Sequence, residues 1–172
     1  MAVKDKLLIW QQNVNKSPTC QHDLLSGNKL TKENIEILVL QEPAMNFNNL
    51  SIAAKDWTSI YPSMHGSSPG NTRSLILIHS QISTDSWTQL DFPSGNVMVI
   101  QITGAWGKLT LFNIYNDGKH NNTIRLLTKY HRDNQTSVRY NPSGSTHMVW
   151  VGDFNRHHPY WDNPGDKSVK AY

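Results

Sequence analysis

The feature of this sequence that most restricts its fold is a series of short apolar runs, several of which end in a polar side chain with an oxygen atom. Apolar runs of about four to eight residues with few charges are typical of strands that are covered on both faces. The oxygen-bearing residues at or just after the ends of these runs are Asn13, Glu42, Tyr115, Asn116, Asp153 and Asn155. Loops bring polar groups together at such strand ends, which predicts a ligand site there.

Turn-rich and helical stretches separate the apolar runs. Strands are predicted over residues 7–14, 35–41, 57–61, 73–79, 96–103, 108–115 and 148–151, with a hairpin at 104–107. Helices are predicted to begin at Ser17-Pro18 and to cover 47–56 and 123–133, and 62–72 is predicted as a loop. This pattern predicts an α/β (α+β) sandwich in which helices cover sheets.

Length, charge and cysteine content set broad limits on the chain. Its 172 residues suit one domain over 1–172, and the net charge of +3 with a pI near 9.0 allows a polyanionic partner without demanding one. A single cysteine, Cys20, excludes an internal disulfide, and the apolar stretch near the N-terminus is too short for a membrane span. We expect an intracellular protein without a membrane partner; nucleus and cytoplasm are not distinguished, and the oligomeric state stays open.

The residue types at the strand ends indicate a particular chemistry. Amide and carboxylate oxygens are hard ligands of the kind that Mg²⁺ or Mn²⁺ prefers, and phosphoryl chemistry uses such an ion. Each position also has a simpler interpretation. Asn13 is suited to a turn, Glu42 to a solvated strand end, Tyr115 to the edge of a core, and Gly152-Asp153-Phe154-Asn155 to a tight turn.

Four stretches taken together resemble the motifs of the endonuclease/exonuclease/phosphatase superfamily. They are Trp10-Gln11-Gln12-Asn13-Val14-Asn15, Leu40-Gln41-Glu42-Pro43, Asn113-Ile114-Tyr115-Asn116 and Gly152-Asp153-Phe154-Asn155. Their order and spacing fit the family over about residues 6–164. The resemblance implies two packed, mainly antiparallel sheets flanked by helices, the DNase I-like fold. It also implies metal-dependent phosphodiester hydrolysis of nucleic acid, DNA above all.

The resemblance further implies a role for each residue of these motifs. Asn13, with Asn15 as the fallback, and Glu42 would hold the metal. Tyr115 and Asn155 would contact the phosphate, and Asp153 would activate the attacking water. Asn116 and Arg73 are expected to bind substrate, and the 62–72 loop either borders the site or is a plain surface loop.

The continuation Arg156-His157-His158-Pro159-Tyr160-Trp161-Asp162 is similar to endonuclease domains of non-LTR retrotransposons and to stand-alone fungal relatives. His157 and His158 are expected to contact substrate or to pack within a loop. A zinc site is disfavoured because no Cys or further His stands at a suitable spacing.

The family's last motif, of the Ser-Asp-His type, has no counterpart here, because no Asp is followed by His anywhere in the sequence. Residues 165–172 form a polar segment that predicts an irregular tail. We therefore expect a domain truncated before its last strands, with marginal stability and impaired cleavage. Two alternatives stay open: a catalytically inactive remnant, and a phosphatase acting on a small phosphoester or lipid headgroup.

Overall fold

Two four-stranded sheets form the framework of the protein in the computed structural model, which describes residues 6–52, 54–139 and 145–155. The strands are β1 (Ile9–Asn13), β2 (Ile37–Gln41), β3 (Trp57–Ile60), β4 (Ser74–His79), β5 (Trp87–Leu90), β6 (Val97–Gly104), β7 (Gly107–Tyr115) and β8 (Thr146–Asp153). The first sheet has the order β1-β2-β4-β3 and the second the order β5-β6-β7-β8. Only β1–β2 and β7–β8 pair in parallel; the other four neighbouring pairs are antiparallel.

Helices connect these strands. They are α1 (Pro18–Ser26), α2 (Asn28–Lys32), α3 (Asn122–Asp133) and α4 (Gln135–Arg139), with short 3₁₀ turns at Pro69–Asn71 and Thr84–Ser86. The predicted start of α1 is confirmed: the Ser17 hydroxyl accepts a hydrogen bond from the Cys20 N–H at 3.2 Å, and Pro18 occupies the first turn. Within the described residues, no helix is long and apolar enough to cross a membrane.

Both faces of the central strands are buried, which explains why their sequences are continuously apolar. Ile37, Val39 and Ile76 pack between the sheets against Ile100 and Leu111. The opposite face of the first sheet lies under α1 and α2, and that of the second sheet lies under α3. The predicted sandwich of two mainly antiparallel sheets with covering helices is therefore confirmed.

The helix predicted over 47–56 is wrong. The described residues of this segment contain a turn at 47–49, enclosed by an isolated bridge between Met45 and Ser51, and a second turn at 55–56. The Asn46 side-chain oxygen accepts hydrogen bonds from the N–H groups of Asn48 and Leu50 at 2.8 and 3.0 Å. A side chain that satisfies nearby backbone donors in this way competes with helix formation. The short strand β5 was not predicted, and residues 156–172, with the expected tail, lie outside the described part.

A buried amide joins the two sheets near one end. The Asn113 side chain on β7 donates to the carbonyls of Leu40 and Leu75 at 2.9 Å each, and accepts a hydrogen bond from Gln41 at 2.7 Å. Asn113 and Gln41 are both fully buried. Since β1 and β2 run parallel and β7 and β8 run parallel, the carboxyl ends of all four strands meet near this amide.

Gly152, just before Asp153, allows the close packing of β8 against β7 at this strand end to be tested. Its φ is +145°, and an added Cβ would overlap the Ile114 carbonyl on β7. We expect Gly152→Ala to lower the free energy of unfolding by about 2–6 kcal/mol, since backbone strain and overpacking each contribute about 1–3 kcal/mol. Denaturant unfolding followed by tryptophan fluorescence measures the change.

Gly66→Ala is the matched control, because an added Cβ at Gly66 meets nothing within 4 Å. We expect it to change stability by less than about 0.5 kcal/mol. An equal loss of unfolding free energy in the two variants would contradict the close approach of β8 to β7 at Gly152.

Candidate active site

The strand ends bring carboxylate, amide and phenol groups from both sheets to one edge of the sandwich. Asn13 ends β1, Glu42 follows β2, Tyr115 ends β7 and Asp153 ends β8. Tyr115 and Asp153 are direct neighbours in the β7–β8 ladder. Residues far apart in sequence thus form one half-buried cluster.

The Asp153 carboxylate is held on both oxygens. Asn13 Nδ2, from the first sheet, donates to one oxygen at 2.8 Å, and the backbone N–H of Asn155 donates to the other at 3.0 Å. The Asn13 side-chain oxygen in turn accepts a hydrogen bond from the Asn15 N–H at 2.8 Å. Because a carboxylate oxygen has two lone pairs, Asp153 retains the capacity to accept a further proton donor.

Glu42 and Tyr115 form the second part of the cluster. Glu42 has a φ of +47°, which lets the chain turn sharply where β2 ends. Burial, the negative charge of Glu42 and a hydrogen-bonding interaction with it raise the pKa of Tyr115; Asp153 adds to the rise and Arg73 opposes it. The phenol therefore stays protonated, and able to donate, through neutral and mildly alkaline pH.

Asn116 and Asn155 brace the turn after β8 against β7. Asn116 is fully buried, and its side chain donates to the Phe154 carbonyl at 2.7 Å. Asn155 returns a hydrogen bond from its own amide to the Asn116 carbonyl at 2.7 Å. The structure thus places Asn116 behind the cluster and Asn155 at its edge. The Asn116 Oδ1 atom is buried with no hydrogen-bond partner within the described residues.

Arg73 lies beside the cluster and lines a groove of about 250 Å³. Its carbonyl accepts a hydrogen bond from the Glu42 N–H at 2.8 Å, which ties it to the end of β2. The groove is also lined by Lys16, by the 44–52 loop through Met45 and Asn49, and by the 62–72 loop through Pro69, Gly70 and Thr72. Part of the 62–72 loop therefore borders this region.

The donor set is compatible with a hard divalent cation. Glu42 and Asp153 supply carboxylates, and Asn13 supplies an amide oxygen. In the described ranges, no three His, Cys, Asp or Glu residues cluster as metal ligands. A Mg²⁺ ion held by one or two carboxylates, waters and substrate phosphate needs no such cluster.

Three contributors to this edge were not singled out from the sequence: Lys16 in the groove, and the buried pair Gln41 and Asn113 behind it. Polar residues inside otherwise apolar strands are a signal for buried hydrogen-bonding groups, and that signal was available for Gln41 and Asn113. Lys16 carries no such signal. His157 and His158, predicted to contact substrate or pack in a loop, lie outside the described residues.

A sandwich of two mainly antiparallel sheets flanked by helices is the DNase I-like fold. Residues 11–170 match the Endonuclease/Exonuclease/phosphatase family, and the chain belongs to that family. A comparison with curated proteins finds no match.

Solved structures show the same fold. The endonuclease domain of TRAS1, a telomere-specific non-LTR retrotransposon, superposes with a TM-score of 0.62 at 14% identity, covering 93% of this chain and 65% of that one. The AP endonuclease LMAP from Leishmania major gives 0.60 at 13% identity, covering 89% and 59%. D. rerio TDP2, complexed with single strand DNA product, gives 0.54 at 14% identity, covering 90% and 63%. The chain thus spans 59–65% of the length of these three structures.

The contact between Glu42 and Tyr115 can be tested by titration. Glu42→Gln keeps the size of the side chain and removes its charge, so we expect the pKa of Tyr115 to fall toward its ordinary value while the effect of burial remains. Tyrosinate absorbance is measured against pH, and subtracting the curve of a Tyr115→Phe variant in each background isolates this one of the 6 tyrosines.

Glu33→Gln, an exposed position after α2, is the matched control and should leave that titration unchanged. An unaltered Tyr115 titration in Glu42→Gln would contradict the described contact.

Proposed function

We propose that this chain is a metal-dependent, nuclease-type phosphodiesterase whose site is the Asn13–Glu42–Tyr115–Asp153 cluster. The observation that carries the proposal is the Asp153 carboxylate, held by Asn13 from one sheet and by the Asn155 N–H, next to the Glu42–Tyr115 pair. Membership of the family supports hydrolysis of a phosphoester bond. Similar structures include a retrotransposon endonuclease domain and a TDP2 complexed with single strand DNA product, which supports nucleic acid, and DNA in particular, as the substrate.

Each residue has a defined task in this mechanism. Asp153 accepts a proton from the attacking water, because Asn13 and Asn155 fix its carboxylate and leave lone pairs free. Tyr115, kept neutral, directs its one proton at Glu42 in this structure and would turn it to a phosphate oxygen when Glu42 holds a metal ion. The second N–H of the Asn155 amide donates to another phosphate oxygen. Asn116 is a positioning residue, since it holds the turn that carries Asp153 and Asn155.

Glu42 and Asn13 are the residues that would hold Mg²⁺ or Mn²⁺. When bound there, such an ion neutralises charge on the non-bridging phosphate oxygens. Arg73 adds a fixed positive charge on the groove side of the same region.

A second candidate function, nucleic-acid binding without cleavage, is favoured by the groove that Lys16 and Arg73 line. Two cations in a groove can bind phosphates without any catalytic group. A phosphatase acting on a small phosphoester is the third candidate, and a substrate panel separates it from a nuclease.

Asp153→Asn provides the decisive test of catalysis. We expect it to slow the Mg²⁺-dependent nicking of supercoiled DNA by roughly 10²–10⁴-fold, since it removes a general base. Nicking should be followed with the chain in excess over plasmid, and a chelator should abolish it. Thermal melting checks that the variant is folded.

Asp85→Asn makes the same charge change at an exposed turn before β5, at the opposite end of the second sheet, and should leave nicking unchanged. Nicking that survives Asp153→Asn would overturn the proposed mechanism. Binding of DNA without any nicking by the unaltered chain would support the second candidate instead.

The substrate-binding proposal is tested through salt dependence. Each phosphate contact that is lost reduces the slope of log affinity against log salt by about 0.7–0.9. We expect Arg73→Ala and Lys16→Ala each to reduce the slope by about this amount, measured by fluorescence anisotropy on an oligonucleotide with chelator present.

Lys55→Ala is the control, because it removes one exposed positive charge before β3, at the far end of the first sheet from Arg73. An equal change of slope in all three variants would mean that the groove contributes no specific phosphate contact.

A further inference from the structure

The 44–52 loop, which follows Glu42, presents the most exposed large apolar side chain of the described residues. Phe47 is 92% exposed, whereas Leu50 on the same loop and Met64 on the 62–72 loop are 48% and 38% exposed. The described chain has six exposed large hydrophobic side chains, and these three belong to the two loops that wall the groove. Single exposed apolar residues are common, but three of them on the two loops that wall one groove are a feature of interaction sites.

The 44–52 loop is braced at its base. Gln21 on α1 is fully buried; its side-chain oxygen accepts from the Ala44 N–H at 2.8 Å, and its nitrogen donates to the Ser51 hydroxyl at 2.6 Å. The Tyr61 hydroxyl accepts from the Ser51 N–H at 2.9 Å. Together with the Asn46 contacts in the turn, these bonds fix the loop in a conformation in which Phe47 is exposed to solvent without a bound ligand. A contact surface held in place in advance loses less entropy on binding.

Charge beside this loop indicates what the ring would contact. Met45 and Asn49, which flank Phe47 two residues away on either side, line the groove together with Lys16 and Arg73. Among the residues that the structure describes, no acidic side chain lines this groove. A cationic groove with an aromatic ring at its edge matches a nucleic-acid strand, whose phosphates need cations and whose bases need a flat apolar partner.

We propose that Phe47 is a stacking platform for an unpaired base of the strand whose phosphate lies in the Lys16–Arg73 groove. This inference rests on the proposed function and adds a preference to it: the substrate has an unpaired base near the scissile bond. A base inside an intact duplex is already stacked on both faces, so Phe47 adds little to duplex binding. Since every base has a π-face, the contact tolerates any sequence.

Binding in a chelator tests the platform separately from cleavage. The probes are a single-stranded oligonucleotide carrying 2-aminopurine, whose fluorescence is quenched on stacking, and a blunt duplex of the same sequence. Phe47→Ala and Phe47→Leu should weaken single-strand binding about tenfold and reduce the quench, because one stacked base contributes affinity of this order. Duplex affinity should change less than about twofold.

Phe47→Trp is the rescue variant and should keep both affinity and quench, since it restores a stacking surface that leucine lacks. Retention of affinity and quench by Phe47→Leu would show that apolarity, and not stacking, is responsible, and would overturn the proposal.

Unchanged single-strand affinity in Phe47→Ala would also overturn the proposal and leave the ring as a contact for a protein partner. If either of these results is obtained and nicking still depends on Asp153, the proposed function is supported and only the stacking platform is rejected. Absence of both binding and nicking would reject the two together.

Discussion

The arrangement of the candidate site depends on one buried amide, the side chain of Asn113. It lies on β7 in the second sheet, yet it bonds to two carbonyls and one side chain of the first sheet. An unsatisfied buried partner costs about 1–3 kcal/mol, so sliding one sheet over the other is strongly opposed. Apolar contacts are not directional, so this polar contact, together with the Asn13–Asp153 bond, favours one register of the two sheets.

The site also depends on sharp turns directly after the strands. Glu42 and Asn155 both have a positive φ, and Gly152 adopts a conformation that other residues rarely take. Such backbone conformations cost roughly 1–3 kcal/mol each and persist where the surrounding structure fixes them. Here the fixing contacts are the exchange of hydrogen bonds between Asn116 and the turn after β8, and the Glu42 N–H to the Arg73 carbonyl. Because the chain turns directly after each of these strands, the side chains at the strand ends stay close together at the edge of the sandwich.

Much of the fold and part of the candidate site could be predicted from the sequence, and physical reasons explain which predictions succeeded and which failed. Burial on both faces leaves a continuous apolar run, so β2, β4, β6 and β7 were predictable. The 47–56 segment was mispredicted because its composition permits a helix, whereas one side chain, Asn46, satisfies the turn instead. Asn116 was assigned to substrate from its motif, but only the structure shows that its amide is turned inward toward Phe154. The short strand β5 carries too little pattern of its own and depends on its pairing with β6.

The sequence by itself determined which residues are apolar enough to be covered, which polar groups stand at strand ends, and in what order the family motifs follow one another. Only the tertiary structure decided that β4 lies between β2 and β3, that Asn13 contacts a carboxylate 140 positions away, and that Lys16 and Arg73 line one groove. Local sequence patterns predict which residues are buried and which backbone conformation they prefer, because these properties depend on neighbours in the chain. Pairing between strands and contacts between sheets depend on residues far apart in sequence, and the same local pattern is compatible with many such arrangements.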